Sequence, residues 1–350
     1  MTDLSRRPRL SHSFFADRSR LDLADLYDLS AGNLAKRVRR RDPSDRAAYH
    51  RDVAATLKAG ILDLFWDQER LAFYDFNLTA NARNDQLTAA HWYPLWANII
   101  PEEIQSDENK AFGTFASLNF ALRRYNGTYP ATFVHTGLQW GNVYKFSPKP
   151  ITEQTFSIDF PNSWPQHIYF ALEALDKLQE SGSGYGDLPT SNNSYTLIPT
   201  NQLGLTEGQL PPQTLGGNHT APPGLDINTV DGTVTNGGIK AEGEGWASQL
   251  QRELANRYIA GVYCNWYATG GSLPGLLPRL PDTTLNITHS IGQNGQLFEK
   301  LSTLNVAASG SGGEYITQTG FGWTNGVALW VGAKFKDVLV QPACPPITGN

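Results

Sequence analysis

Cysteine is almost missing from this chain: Cys264 and Cys344 are the only two in 350 residues. Two are too few for a disulfide framework or a cysteine-based zinc site, and their positions leave open whether they pair. Long hydrophobic runs are missing as well. No stretch approaches the roughly 20 apolar residues of a membrane span, and the opening MTDLSRRPRL holds no apolar h-region of a secretory signal. Positive charge is not in excess: a formal net charge of −5 gives no reason to expect a nucleic-acid partner. The one basic run, Lys36 to Arg41 (KRVRRR), stands beside Asp42 and Asp45. It reads as a solvated helix face, with a polyanion site as the alternative. The chain contains no GxxxxGK[ST] phosphate loop, no HExxH or paired-cysteine metal motif and no GxSxG elbow, and its seven histidines are scattered.

What is present fits a globular protein: 40% apolar and 17% charged residues argue against general disorder. Nine Trp and fourteen Tyr are more telling, because flat aromatic faces suit the C–H side of pyranose rings. Most of them are nonetheless expected in the core. Five N-x-S/T sequons, at Asn77, Asn126, Asn192, Asn218 and Asn286, lean towards secretion, against the missing signal in the opening residues.

Residues 1–21 read as an irregular lead-in. From Asp22 the spacing of Leu23, Leu26, Leu29 and Leu34 is helical. Pro43 and Ser44 open a second helix with Ala48, Val53, Leu57, Ile61 and Leu64 on one face. Alternation near Ala72 to Phe76 predicts a hairpin or turn. Further helices are predicted at Thr88 to Ile99 (stopped by Pro101), Asn109 to Tyr125, Gln166 to Leu178, Gly245 to Tyr267, Gln296 to Ser302 and Thr324 to Lys336. Helices joined by loops, with few convincing strands, indicate an all-α protein. One catalytic domain is expected over 22–340, with 341–350 as a tail. Residues 181–242, rich in Gly, Pro, Ser, Thr and Asn, read as a surface insertion; an interdomain linker is the alternative.

With metal and nucleophile motifs missing, carboxylates beside aromatics and glycines remain, the usual equipment for cleaving glycosidic bonds. Gly312 to Val327 reads GGEYITQTGFGWTNGV, Asp159 to Pro165 reads DFPNSWP, and Gln86 to Trp96 reads QLTAAHWYPLW. The first resembles the glycine-rich signature of the trehalase family of glycoside hydrolases. The second is similar to that family's QWDxPNGWxP signature, and the third to its QLTAAxxFPLY segment. The three lie in family order, and the likeness runs from about Asp22 to Lys336, corresponding to the C-terminal half to two-thirds of a fungal-type member.

The resemblance implies an (α/α)6 toroid, here incomplete because the N-terminal part is missing. It implies cleavage of α,α-trehalose into two glucose molecules with inversion, no cofactor, no metal, and an extracellular or cell-wall-associated full-length protein. Inversion needs a carboxylic acid for the leaving oxygen and a carboxylate base for water, roughly 6.5–9.5 Å apart. Glu299, in LFEK fifteen residues before Glu314, matches the family's base in (M/L)xEKY, although Leu301 replaces the Tyr. Glu314 and Tyr315 match sugar-contacting positions, with a structural turn as the alternative. Trp140, Trp164 and Trp323 are expected against the substrate; Trp323 equally suits the core. Asp159 is expected to bond sugar hydroxyls or to cap the helix near Gln166.

Two departures stand out. Gln139-Trp140 is separated from Asp159 by Gly141 to Ile158; deleting those eighteen residues restores LQWDFPNSWPQ in frame. The insertion reads as a translated intron, with a surface loop as the alternative. More gravely, nothing in MTDLSRRPRLSHSFFADRSRL matches the family's acid-bearing SGWDxSxRW segment, and the PGGRFxExYxWD signature is missing too. An inactive chain is therefore expected. A non-catalytic sugar-binding remnant is one alternative function, and a glucoamylase-like (α/α)6 glycosidase another. Transcript sequencing tests the insertion: the Trp140 codon should join directly to that of Asp159, whereas a continuous read through 141–158 would establish the loop.

Overall fold

The computed structural model describes residues 20–21, 45–84, 86–125, 127–133, 162–188, 213–215, 219–221, 229–230, 233–285, 295–303, 305–310 and 317–345. Within them the fold is helical. Seven α-helices carry it: α1 (Asp45–Leu64), α2 (Trp92–Trp96), α3 (Glu102–Ser106), α4 (Glu108–Arg124), α5 (Pro165–Glu180), α6 (Trp246–Ala268) and α7 (Gly322–Lys334). The strands are two or three residues long and serve as clips between segments. One antiparallel clip joins Trp66–Asp67 to Ala72–Phe73, and the next joins Phe76–Asn77 to Ala82–Arg83. Both fall where alternation predicts a hairpin.

Helices α1, α4, α5, α6 and α7 follow the sequence periodicity closely. The Thr88–Ile99 helix is broken into a 3₁₀ turn, Ala89–His91, followed by α2. Residues Leu23, Leu26, Leu29 and Leu34, the 141–158 insertion and most of 181–242 lie outside the described residues. One expectation fails outright: Gln296 to Ser302 forms no helix but an irregular, bent segment that ends in the short strand Leu301–Ser302, for a reason given with the site below.

Helix α4 begins at Asp107, whose carboxylate accepts from the amides of Asn109 and Lys110 at 2.9 and 3.2 Å, satisfying free N-terminal donors. Ala111, Phe112, Phe115, Ala116, Leu118, Ala121 and Leu122 are all buried. Apolar burial of that width marks a central helix. The carbonyls of Leu122 and Tyr125, at and just beyond the far end of α4, accept from the buried guanidinium of Arg257 on α6. A cation there also complements the negative end of the helix dipole. At the near end Glu108 accepts from the amides of Gly184 and Gly186 and from Trp246 Nε1 at 2.8 Å. One carboxylate therefore fixes α4, the loop after α5 and the first turn of α6.

Pro165 starts α5 without loss of a helical bond. Helices α5 and α6 pack together, and both pack against α7. Tyr258 of α6 donates to the carbonyl of Thr324 in α7 at 3.0 Å. Lys334 of α7 reaches both Glu173 and Asp176 of α5. Not every apolar position finds cover: Leu57 of α1 is 42% exposed and Leu329 of α7 76% exposed. Of the face expected on α1, Ile61 is buried, Val53 and Leu64 are half-buried, and Ala48 and Leu57 are exposed.

The two cysteines do pair. Cys264 on α6 is bonded to Cys344, across 80 residues of sequence. The tail they anchor is held twice more, by Asn256 against Val338 and Val340 and by Asn236 against Ala343, each amide both donating and accepting. Cys344→Ser removes the covalent tie only. It should cost about 2–4 kcal/mol of stability by releasing loop-closure entropy to the unfolded state, read as a lower urea midpoint. An unchanged midpoint would show that the two asparagines hold the tail unaided.

Candidate active site

The segment Leu297 to Ser302 (LFEKLS) has leucines four apart and so reads as a helix turn. Its backbone bonds explain why it is not helical. Gly320 donates to the Leu297 carbonyl at 2.7 Å, and Glu299 donates to the Gln318 carbonyl at 2.9 Å. Phe298 bridges Thr319. Gly310 donates to the Lys300 carbonyl at 2.9 Å, and Leu301–Ser302 pairs antiparallel with Asn162–Ser163. The main-chain groups of this segment thus bond to stretches distant in sequence, around residues 162, 310 and 318–320. Phe298, Glu299, Lys300 and Leu301 are all buried, so no alternation of apolar and polar residues marks the segment in the sequence.

The same network gathers the segments that carry the resemblance. Ala89, within QLTAAHWYPLW, donates to Ala131 at 2.8 Å, and Ala131 donates to Asn162, within DFPNSWP, at 2.9 Å. Asn162–Ser163 then meets Leu301–Ser302. From GFGWTNGV, Trp323 Nε1 donates to the Glu299 carbonyl and Thr324 Oγ1 to the Phe298 carbonyl, both at 2.6 Å. Two glycines make these approaches possible. A Cβ on Gly127 would stand 2.5 Å from the Thr303 carbonyl oxygen, and one on Gly310 would stand 2.6 Å from Asn162 Oδ1.

Glu299 is fully buried, and neither carboxylate oxygen meets a hydrogen-bond partner. Lys300 Nζ stands 3.9 Å from Oε1. Burial, the largest influence, pushes the Glu299 carboxyl above its ordinary value of 4.5; the Lys300 ammonium and the Gln318 main-chain amide pull the other way. Burial likewise lowers Lys300, against the opposing pull of Glu299. The ammonium also lies over the ring of Trp164, 5.4 Å from its centre. Trp164 in turn meets Trp323 edge-to-face at 5.6 Å.

The structure therefore brings together Glu299, Trp164 and Trp323 among the expected site residues. Trp140, Asp159, Glu314 and Tyr315 lie outside the described residues. The flanks of the Glu314 segment are tied to one another: Thr317 Oγ1 donates to the Gly310 carbonyl at 2.7 Å. Sequence reasoning missed the parts played by Lys300, Asn162 and Gly310. Their signal was faint, because each acts through a contact distant in sequence. A cavity of about 400 Å³ lies within the loop Ser272–Arg279 and shares no residue with this cluster. Among the described residues no group of three or more His, Cys, Asp or Glu gathers to hold a metal, and no helix is long and apolar enough to cross a membrane.

The described residues thus hold a buried carboxylate beside Lys300, whose ammonium lies over Trp164, while Trp323 bonds the main chain of Glu299. Among known proteins, the sequence model of the family described as Trehalase matches residues 20–188 and 284–334. The chain belongs to the trehalase family. It is 21% identical to a trehalase of Apis mellifera over 91% of this chain and 34% of that protein. To a trehalase of Dictyostelium discoideum it is 20% identical, over 93% and 37%. A periplasmic trehalase of Citrobacter koseri is 46% identical over 60 residues, 17% of this chain and 9% of that protein. Neutral trehalase Nth1 from Saccharomyces cerevisiae superimposes with a TM-score of 0.32 at 18% identity, covering 46% of this chain and 28% of that one. The chain spans about a third of the length of the curated relatives it matches.

Proposed function

We propose that this chain forms the base side of an inverting α,α-trehalose hydrolase built as an (α/α)6 toroid, with Glu299 as the general base. The observation that supports this most is the state of Glu299: buried, with both carboxylate oxygens left without hydrogen-bond partners, at the position that matches the family's base. A structural carboxylate at this depth would ordinarily be satisfied by donors. One with open oxygens is equipped to accept a proton from water.

In the proposed step, water attacks one anomeric carbon while Glu299 takes its proton. The glycosidic bond breaks, and the departing oxygen receives a proton from a carboxylic acid on the opposite face. Inversion at one centre yields one β- and one α-glucose. Trp164 and Trp323 form the aromatic wall beside the base. Trp140, Asp159, Glu314 and Tyr315 are assigned to sugar binding on their match to the family alone. The acid belongs to an SGWDxSxRW segment, to be sought upstream in the full-length protein. Without it the leaving glucose departs as an alkoxide, and general-acid help is worth roughly 10²–10⁴-fold.

The Cys264–Cys344 bond supports an oxidising compartment, in keeping with the sequons and with an extracellular or cell-wall location.

Glucose release from trehalose is the deciding assay. The 350-residue chain alone should release almost none. The full-length product carrying the acid segment should hydrolyse trehalose, and Glu299→Gln in it should lower kcat by about 10²–10⁴-fold. Undiminished turnover in that variant would remove Glu299 from the base role, and a full-length product without the acid segment would favour a non-catalytic sugar-binding remnant.

A further inference from the structure

Lys300 is a buried ionisable group beside the proposed base that the proposed chemistry does not use. Its ammonium and the Glu299 carboxylate are both sealed from solvent and close enough for each to offset part of the other's desolvation. Glu299 and Lys300 lie in a bend just before the strand Leu301–Ser302. Here the long lysine stem carries Nζ back to within 3.9 Å of Glu299 Oε1. Two neighbours confine the stem and head. Gly310 leaves room for Cγ, since a Cβ there would stand 2.8 Å away, and the Trp164 ring lies 5.4 Å from Nζ. The Lys300 main chain is fixed as well, by the Gly310 amide at 2.9 Å.

We propose that Lys300 is a positioning residue for the base, holding the Glu299 carboxylate charged and aimed while leaving both of its oxygens open. This rests on the reading of Glu299 as the base. A buried base faces a conflict: it must be ionised to take a proton, yet burial favours the neutral acid. Donors bonded directly to the carboxylate would restore the charge but occupy the lone pairs that water needs. An ammonium at 3.9 Å supplies field without occupying a lone pair. Trp164 provides a favourable cation–π surface that keeps Nζ at that remove. The groups acting on Glu299 from the elements around it are consistent with this assignment. Among the described residues these are Lys300, next to it in the chain, and the main-chain amide of Gln318, on the segment across from it. Trp164 and Trp323, also close by, carry no charge.

The test is the titration of the Glu299 carboxyl carbon by NMR in the full chain, assigned with Glu299→Gln. The wild-type midpoint should lie above 4.5. Lys300→Met should raise it by about one pH unit or more, as loss of an opposite charge within 4–6 Å does. Lys300→Arg should restore most of the shift, which a purely structural role would not do. Should Lys300→Met fail to fold, the unmodified chain carries the same information: the Lys300 Cε resonance should step at the Glu299 midpoint. A midpoint unmoved in Lys300→Met, or the lack of that step, overturns the proposal. The titration is independent of turnover. A shifted midpoint together with an active full-length Glu299→Gln enzyme would therefore refute the base and leave the coupling intact.

Discussion

The structure depends on a short buried segment that distant parts of the chain hold in place. Phe298 to Ser302 contributes little through its own propensity; it exists because Gln318, Gly320, Gly310 and Asn162–Ser163 each take a share of its backbone bonds. Those bonds satisfy main-chain groups that could not otherwise be buried. Two ionisable side chains enter the interior with them, and their mutual field partly offsets the desolvation of each. Glu299 is thus placed by neighbours spread across the chain.

Helix α6 is the second organiser. It supplies Arg257 to the end of α4, Tyr258 to the start of α7, and Cys264 to the tail. Asn265 donates to the Val306 carbonyl at 3.0 Å, which fixes the turn that follows Leu301–Ser302. Yet α6 lies outside the two stretches matched by the family model. Family membership and structural importance are therefore distributed differently along this chain.

The helices were legible because an apolar face repeating every three or four residues needs no distant information. The hairpin near Ala72 was legible for the same local reason. Gln296 to Ser302 was misread because Leu297 and Leu301 mimic a helix face, while the bonds that keep the segment out of a helix come from residues 162, 310, 318 and 320. Pairing of Cys264 with Cys344 was likewise invisible at 80 residues' separation. Of the site, Glu299 stood out only through its match to the trehalase family; as one acidic residue among 33 it carries no mark of its own. The meeting of Trp164 with Trp323 needed the fold, and so did the return of Lys300 towards its neighbour.

The central claim is that Glu299 is held in a rigid wall. Residue-resolved amide hydrogen exchange on the intact chain tests it most directly. The amides of Ala131, Glu299, Gly310 and Gly320 should be protected to the same degree as those in the middle of α6, because they close one network. Exchange of the Glu299 and Gly310 amides at rates typical of open loops would contradict the account.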